Sequence, residues 1–175
     1  MRSEAELAAI IGHEISHISL KHSIGQLQYE LALRRIAGDD IAAIIGAAHG
    51  LVATTYDRDQ ETDADLNGIL LATDAGYDPR AALGALRLLA RFEAGDLEPQ
   101  RTLAGEIVGG IAGTLDDLAS SHPQALQRIA DAEAMIARNA SSWEGNRFYV
   151  GVRNHNETAA RSTRDYSDEW TVFSR

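Results

Sequence analysis

Apolar residues recur at helical spacing along most of the chain. Leu7, Ile10, Ile11, Ile15 and Ile18 follow Ser3, a helix-capping residue type, and Glu6 stands at the capping-box place three positions on. The spacing predicts a helix from about residue 4 to residue 22 with these residues as its apolar face. Gly12 and Ser16, four apart, mark another side where a second backbone can come close. Gly25 interrupts, a second helical pattern runs from Gln26 to Ile36, and Asp39 and Asp40 supply cap chemistry for the apolar run 41–56. That run is shorter than the roughly 20 residues a membrane-spanning helix needs, and it contains His49 and two glycines, so it reads as a buried helix.

Beyond it, Glu61, Ala64, Asp65 and Gly68 fall at i, i+3, i+4 and i+7, a stripe on which two carboxylates are flanked by small residues. Tyr77, Asp78 and Pro79 predict a turn, and residues 80–95 an amphipathic helix ended by Gly95. Residues 96–119 carry four glycines and read as a loop with a loosely specified apolar helix, a candidate mobile flap. Pro123 suits the first position of a helix over 124–139. Residues 147–152 alternate like a short edge strand, and the polar remainder to Arg175 is expected to be a flexible tail. The whole predicts a mainly α fold with little β structure, divided into residues 1–139 and the strand-and-tail segment 140–175.

Composition sharpens this picture without changing it. The 175 residues suit one core-forming domain, and 45% hydrophobic with few aromatics and 3 prolines favours helices over a sandwich. A net charge of −10 with no basic run repels phosphate backbones and argues against nucleic acid, leaving peptides as ligands. No cysteine is present, so any metal must be held by His and carboxylates. Neither a signal peptide nor a transmembrane segment is expected, and the oligomeric state is not readable.

The candidate chemistry lies in the first helix. His13 and His17 stand one turn apart on one face, Glu14 follows His13, and together they spell HExxH. Two imidazoles so spaced can reach one zinc ion, which in a catalytic site takes three protein ligands and keeps one position for water. Glu14 projects about 100° round the helix, where it flanks the metal and can take a proton from that water. If the Glu61 stripe faces this helix, Glu61 is the third ligand and Asp65 holds the free ring nitrogen of a ligand histidine, foremost His13; otherwise the stripe is a solvated acidic face. His22, five past His17, is expected on another side of the helix as a structural residue, and His49 and His155 as non-ligands.

The segment HEISHISLKH, followed by DRDQETDADLNGILLATDAGYDPRAAL and then by SSHPQALQRI, resembles the HtpX and CAAX prenyl protease family of zinc metallopeptidases (metallopeptidase family 48, gluzincin type), nearest its soluble or periplasmic branch. The resemblance covers about Glu4 to Ile129. It implies a helical zincin-like core, one Zn²⁺ on His13, His17 and Glu61, Glu14 as catalytic base, Asp65 behind a ligand histidine, and a protein or peptide substrate, with a periplasmic or membrane-peripheral setting. Where the family reads Ser-Arg ahead of the Glu-bearing helix, this chain has Asp57 before Arg58, in a role expected to remain capping. The family's strands ahead of the HExxH helix are absent, so the chain reads as N-terminally truncated. His122 is implied to lie near the metal, stabilising the oxyanion, blocking the open zinc position or only capping a helix, with Arg128 orienting the same region. The expected function is zinc-dependent endopeptidase action on misfolded or membrane-associated proteins; the competing reading is a catalytically weak zinc-binding module with a chaperone-like or scaffolding role.

Overall fold

Helix α1 spans Glu4–Ser19, and its start is over-determined. Ser3 Oγ accepts from the Glu6 amide at 3.2 Å, and the Glu4 and Ala5 amides donate to the carbonyls of Gly151 and Val150, each at 3.0 Å. Donors that a helix N-terminus leaves unpaired are therefore met by a side chain and by a distant part of the chain. The computed structural model describes residues 1–22, 24, 28, 42–94 and 125–174. The helix expected at 26–36 (residue 28 apart), the Asp39–Asp40 cap of the apolar run after it, the 96–119 flap, and His122 with Pro123 lie outside the described residues.

One unbroken 33-residue helix, α2 (Ala42–Asp74), replaces the two segments read from the sequence. Residues 57 and 58 fall inside it, so Asp57 has no helix end to cap. Helix α3 (Ala81–Glu93) and helix α4 (Ala125–Trp143) follow the expected patterns, α4 running a few residues further. Among the described residues no helix is long and apolar enough to cross a membrane.

The packing of α1 reverses the expected face. Its buried residues are Ala5, Glu6, Ala9, Gly12, His13 and Ser16, while Ile11, Ile15 and Ile18 are 49%, 48% and 78% exposed. The reason is the contact with α2. A Cβ on Gly12 would stand 2.6 Å from the Gly68 carbonyl oxygen, and one on Gly68 would stand 2.6 Å from the His13 nitrogen. Backbones this close exclude branched side chains, so the small stripe faces inward and carries the histidines with it. Asn67 adds a hydrogen bond to Ser16 Oγ at 3.0 Å.

The apolar core lies among α1, α2, α3 and α4: Ala9, Ile69, Leu86, Leu89, Ala132, Met135 and Ile136 meet there. Trp143, Phe148 and Phe173 extend it into the C-terminal segment, with Phe173 edge-on to both other rings. Strands β1 (Arg147–Tyr149) and β2 (Trp170–Val172) pair antiparallel with Phe148 opposite Thr171, and helix α5 (Val152–Glu157) lies between them in sequence. The polar end expected to trail as a flexible tail is thus built in. Its anchors are aromatic: Tyr149 is fully buried, bonded to Asn154, and Arg161 lies 4.7 Å over the Tyr77 ring while its amide donates to Glu4.

The α2–α3 turn is tied to this sheet through Asp78. Its carboxylate accepts from the Arg80 amide at 2.9 Å, the Arg80 guanidinium at 2.7 Å and Thr171 Oγ1 at 3.2 Å. Burial alone would raise the Asp78 carboxyl, but the Arg80 and Thr171 bonds outweigh it and hold it below the usual Asp value. A depressed folded-state value gives stability that is present above the unfolded value and is lost as pH falls through the folded one. Asp78→Ala is therefore expected to cost about 1–3 kcal/mol at neutral pH. In urea titrations its deficit should shrink once the pH drops below the ordinary Asp range; a deficit constant with pH would assign the cost to packing.

Candidate metal centre

Because Gly12 and Gly68 bring the helices into backbone contact, α1 presents His13 and His17 directly to the Glu61 and Asp65 turns of α2. His13 Nε2 and His17 Nε2 point at one another 3.0 Å apart; His13 Nε2 is 3.5 Å from Glu61 Oε2, and His17 Nε2 is 3.2 Å from Glu61 Oε1. Ligands about 2.0–2.2 Å from a tetrahedral zinc stand about 3.3–3.5 Å from each other, so three donors at these separations fit one such ion. This His-His-Glu trio is the one group of potential metal ligands of this kind among the described residues. The fit rests on donor type as well as spacing: two imidazole nitrogens and a carboxylate suit zinc without cysteine.

Behind the trio is a buried ionic network. His13 Nδ1–H donates to Asp65 Oδ1 at 2.9 Å, which leaves Nε2 as the nitrogen facing the other donors. Arg128, from α4, grips Asp65 with Nε at 2.7 Å and Nη2 at 2.8 Å, and its Nη1 reaches Glu61 Oε2 at 3.1 Å. Its side chain is only 4% exposed. Burial alone would raise the Asp65 carboxyl, but the hydrogen bonds from Arg128 and His13 outweigh it and hold the group below the usual Asp value. The guanidinium thus ties α4 to two turns of α2, and Asp65 carries the link on to His13 of α1.

The structure brings together His13, His17, Glu61, Asp65 and Arg128 as a single cluster. Glu14 is half-buried on the next position of α1. His122 lies outside the described residues; His155 stands apart on α5, and the His49 side chain is likewise outside them. His22 departs from expectation. Helix α1 ends at Ser19, Lys21 takes a left-handed φ of 60°, and His22, 8% exposed, sets Nδ1 2.9 Å from His17 Nδ1. Periodicity could not find this contact, since it needs the helix to stop where no glycine signals a stop. Burial, then the neighbouring His17, hold His22 below the ordinary His value against the opposing pull of Asp63 and Glu61.

Two histidines one turn apart on a helix, facing a carboxylate from a second helix within an α-helical core, form the constellation of metal-dependent peptidases of the HExxH class. The chain belongs to peptidase family M48, whose family model matches residues 1–136. It is similar to the mitochondrial metalloendopeptidase OMA1 of Arabidopsis thaliana, 28% identical over 144 residues that cover 77% of this chain and 26% of the relative. Similarity extends to metalloprotease YcaL of Escherichia coli K12, at 27% identity over 54% of this chain and 42% of the relative. The beta-barrel assembly-enhancing protease of Yersinia pestis is 27% identical over 50% of this chain and 22% of its own length. The chain therefore spans less than half the length of each of these relatives. No solved structure gives a significant match.

Proposed function

We propose that the protein is a zinc-dependent endopeptidase in which His13, His17 and Glu61 hold one Zn²⁺. The observation that carries this reading is the convergence of the two Nε2 atoms and the Glu61 carboxylate at separations of 3.0–3.5 Å in a chain of family M48. Zinc held there supplies Lewis-acid polarisation of a scissile carbonyl and brings the pKa of water to about 7. Glu14 takes the proton of the attacking water and returns it to the departing amine. Asp65 fixes the His13 tautomer, and Arg128 holds the Asp65 and Glu61 carboxylates in place. His122, by the family resemblance, steadies the developing oxyanion.

Substrates are proposed to be protein chains, misfolded or membrane-associated ones. Support for protein cleavage comes from the relatives, whose names read metalloendopeptidase, metalloprotease and beta-barrel assembly-enhancing protease. The test pairs metal analysis of the purified chain with casein cleavage in the presence and absence of a chelator. About one zinc per chain and cleavage abolished by chelator, then restored by zinc, are expected. Cleavage indifferent to the chelator, or no bound metal, sinks the reading; stoichiometric zinc with no cleavage of any protein would favour the silent zinc-binding module instead.

A further inference from the structure

We infer that His22 is a positioning residue for His17, its Nδ1 accepting the His17 Nδ1–H and thereby directing the bare His17 Nε2 at the metal. The inference rests on the proposed metal site. His17 has two ring nitrogens, and Nε2 lies 3.0 Å from His13 Nε2 and 3.2 Å from Glu61 Oε1, so Nε2 is the ligating atom. The neutral ring must then carry its proton on Nδ1. The atom facing that proton, at 2.9 Å, is His22 Nδ1. One proton can be shared between these two nitrogens in either sense, and only donation from His17 to His22 leaves His17 Nε2 free to bind a metal.

Independent geometry holds His22 in this place. Its ring packs edge-on to His17 with centroids 4.9 Å apart, and it is buried although it follows the end of α1. Lys21, between the end of α1 and His22, adopts the left-handed conformation that only glycine visits readily. Gln60, the residue before the ligand Glu61, donates from Nε2 to the His22 carbonyl at 3.4 Å, tying His22 to α2. The two ligand histidines are consequently supported unequally: His13 leans on an ionised carboxylate and His17 on a neutral imidazole.

Three variants separate the acceptor from the ring. Against a competing chelator, His22→Ala is expected to weaken zinc binding about 10–100-fold. His22→Asn, whose Oδ1 stands near the lost Nδ1, should recover most of that loss, and His22→Phe, a ring without an acceptor, should not. Equal affinity for His22→Ala and the unaltered chain overturns the inference, as does recovery by Phe but not by Asn. The unaltered zinc-loaded chain gives a direct reading even if the variants fold poorly: ¹⁵N NMR should show the His17 proton on Nδ1 with a coupling across to His22 Nδ1. A His17 proton on Nε2 overturns the assignment. If the unaltered chain binds no zinc, the metal reading itself fails and this one with it; normal zinc binding that ignores His22 removes this one alone.

Discussion

Glu14→Gln is expected to lower peptide turnover by about 10²–10⁴-fold, the usual contribution of a positioned general base. The substitution keeps shape and nearly the same helix propensity, so α1 should still form and still present His13 and His17. Metal content measured on the same preparation is the control, and it should match that of the unaltered chain. Turnover retained at equal metal content would remove Glu14 as the base. Metal lost together with turnover would give Glu14 a part in building the site. A lowered kcat at unchanged metal content would leave proton transfer as its task.

Arg128→Ala carries the other large effect, on stability. The guanidinium contacts Asp65 through two nitrogens and Glu61 through the third, all within a network where these side chains are less than a tenth exposed. Removing it leaves two buried carboxylates without that charge, for which a loss of about 3–5 kcal/mol is expected. Denaturant titration in chelator reads this term separately from metal binding. Zinc should return part of the stability by restoring positive charge at Glu61. Arg128→Lys should rescue little, because an ammonium cannot form the fork. A loss below about 1 kcal/mol would class the network with exposed ion pairs.

Local spacing made the centre legible in the sequence. His13, Glu14 and His17 on one helix, and Glu61, Asp65 and Gly68 on another, are separated by intervals that a 3.6-residue turn translates directly into faces. Their meeting was inferable from the small residues accompanying each set, and Gly12 and Gly68 are where the backbones touch. What local spacing could not show is which face wins when two compete. The isoleucines of α1 form the more hydrophobic stripe, yet close approach and the histidines take the inside, so Ile11, Ile15 and Ile18 are left outward. His22 was hidden for a different reason: it follows the end of α1 at Ser19 and the left-handed Lys21, so no helical period places it. The strand at 147–149 was legible, but the polar stretch after it was misread as a loose tail, because the features that hold it, the buried Phe173 and the pairing of β2 with β1, leave little mark on its composition.

The meeting of Gly12 with Gly68 also limits how this centre can change. The gap between the ligand-bearing helices is already at the floor set by main-chain atoms, so no substitution at either position can narrow it, and the smallest widening is one methyl group. Helix spacing is therefore a fixed dimension of the site. A shift in metal preference or affinity has to come from the ligands or from the groups bonded to them, Asp65, Arg128 and His22, which can be altered without forcing the two helices apart.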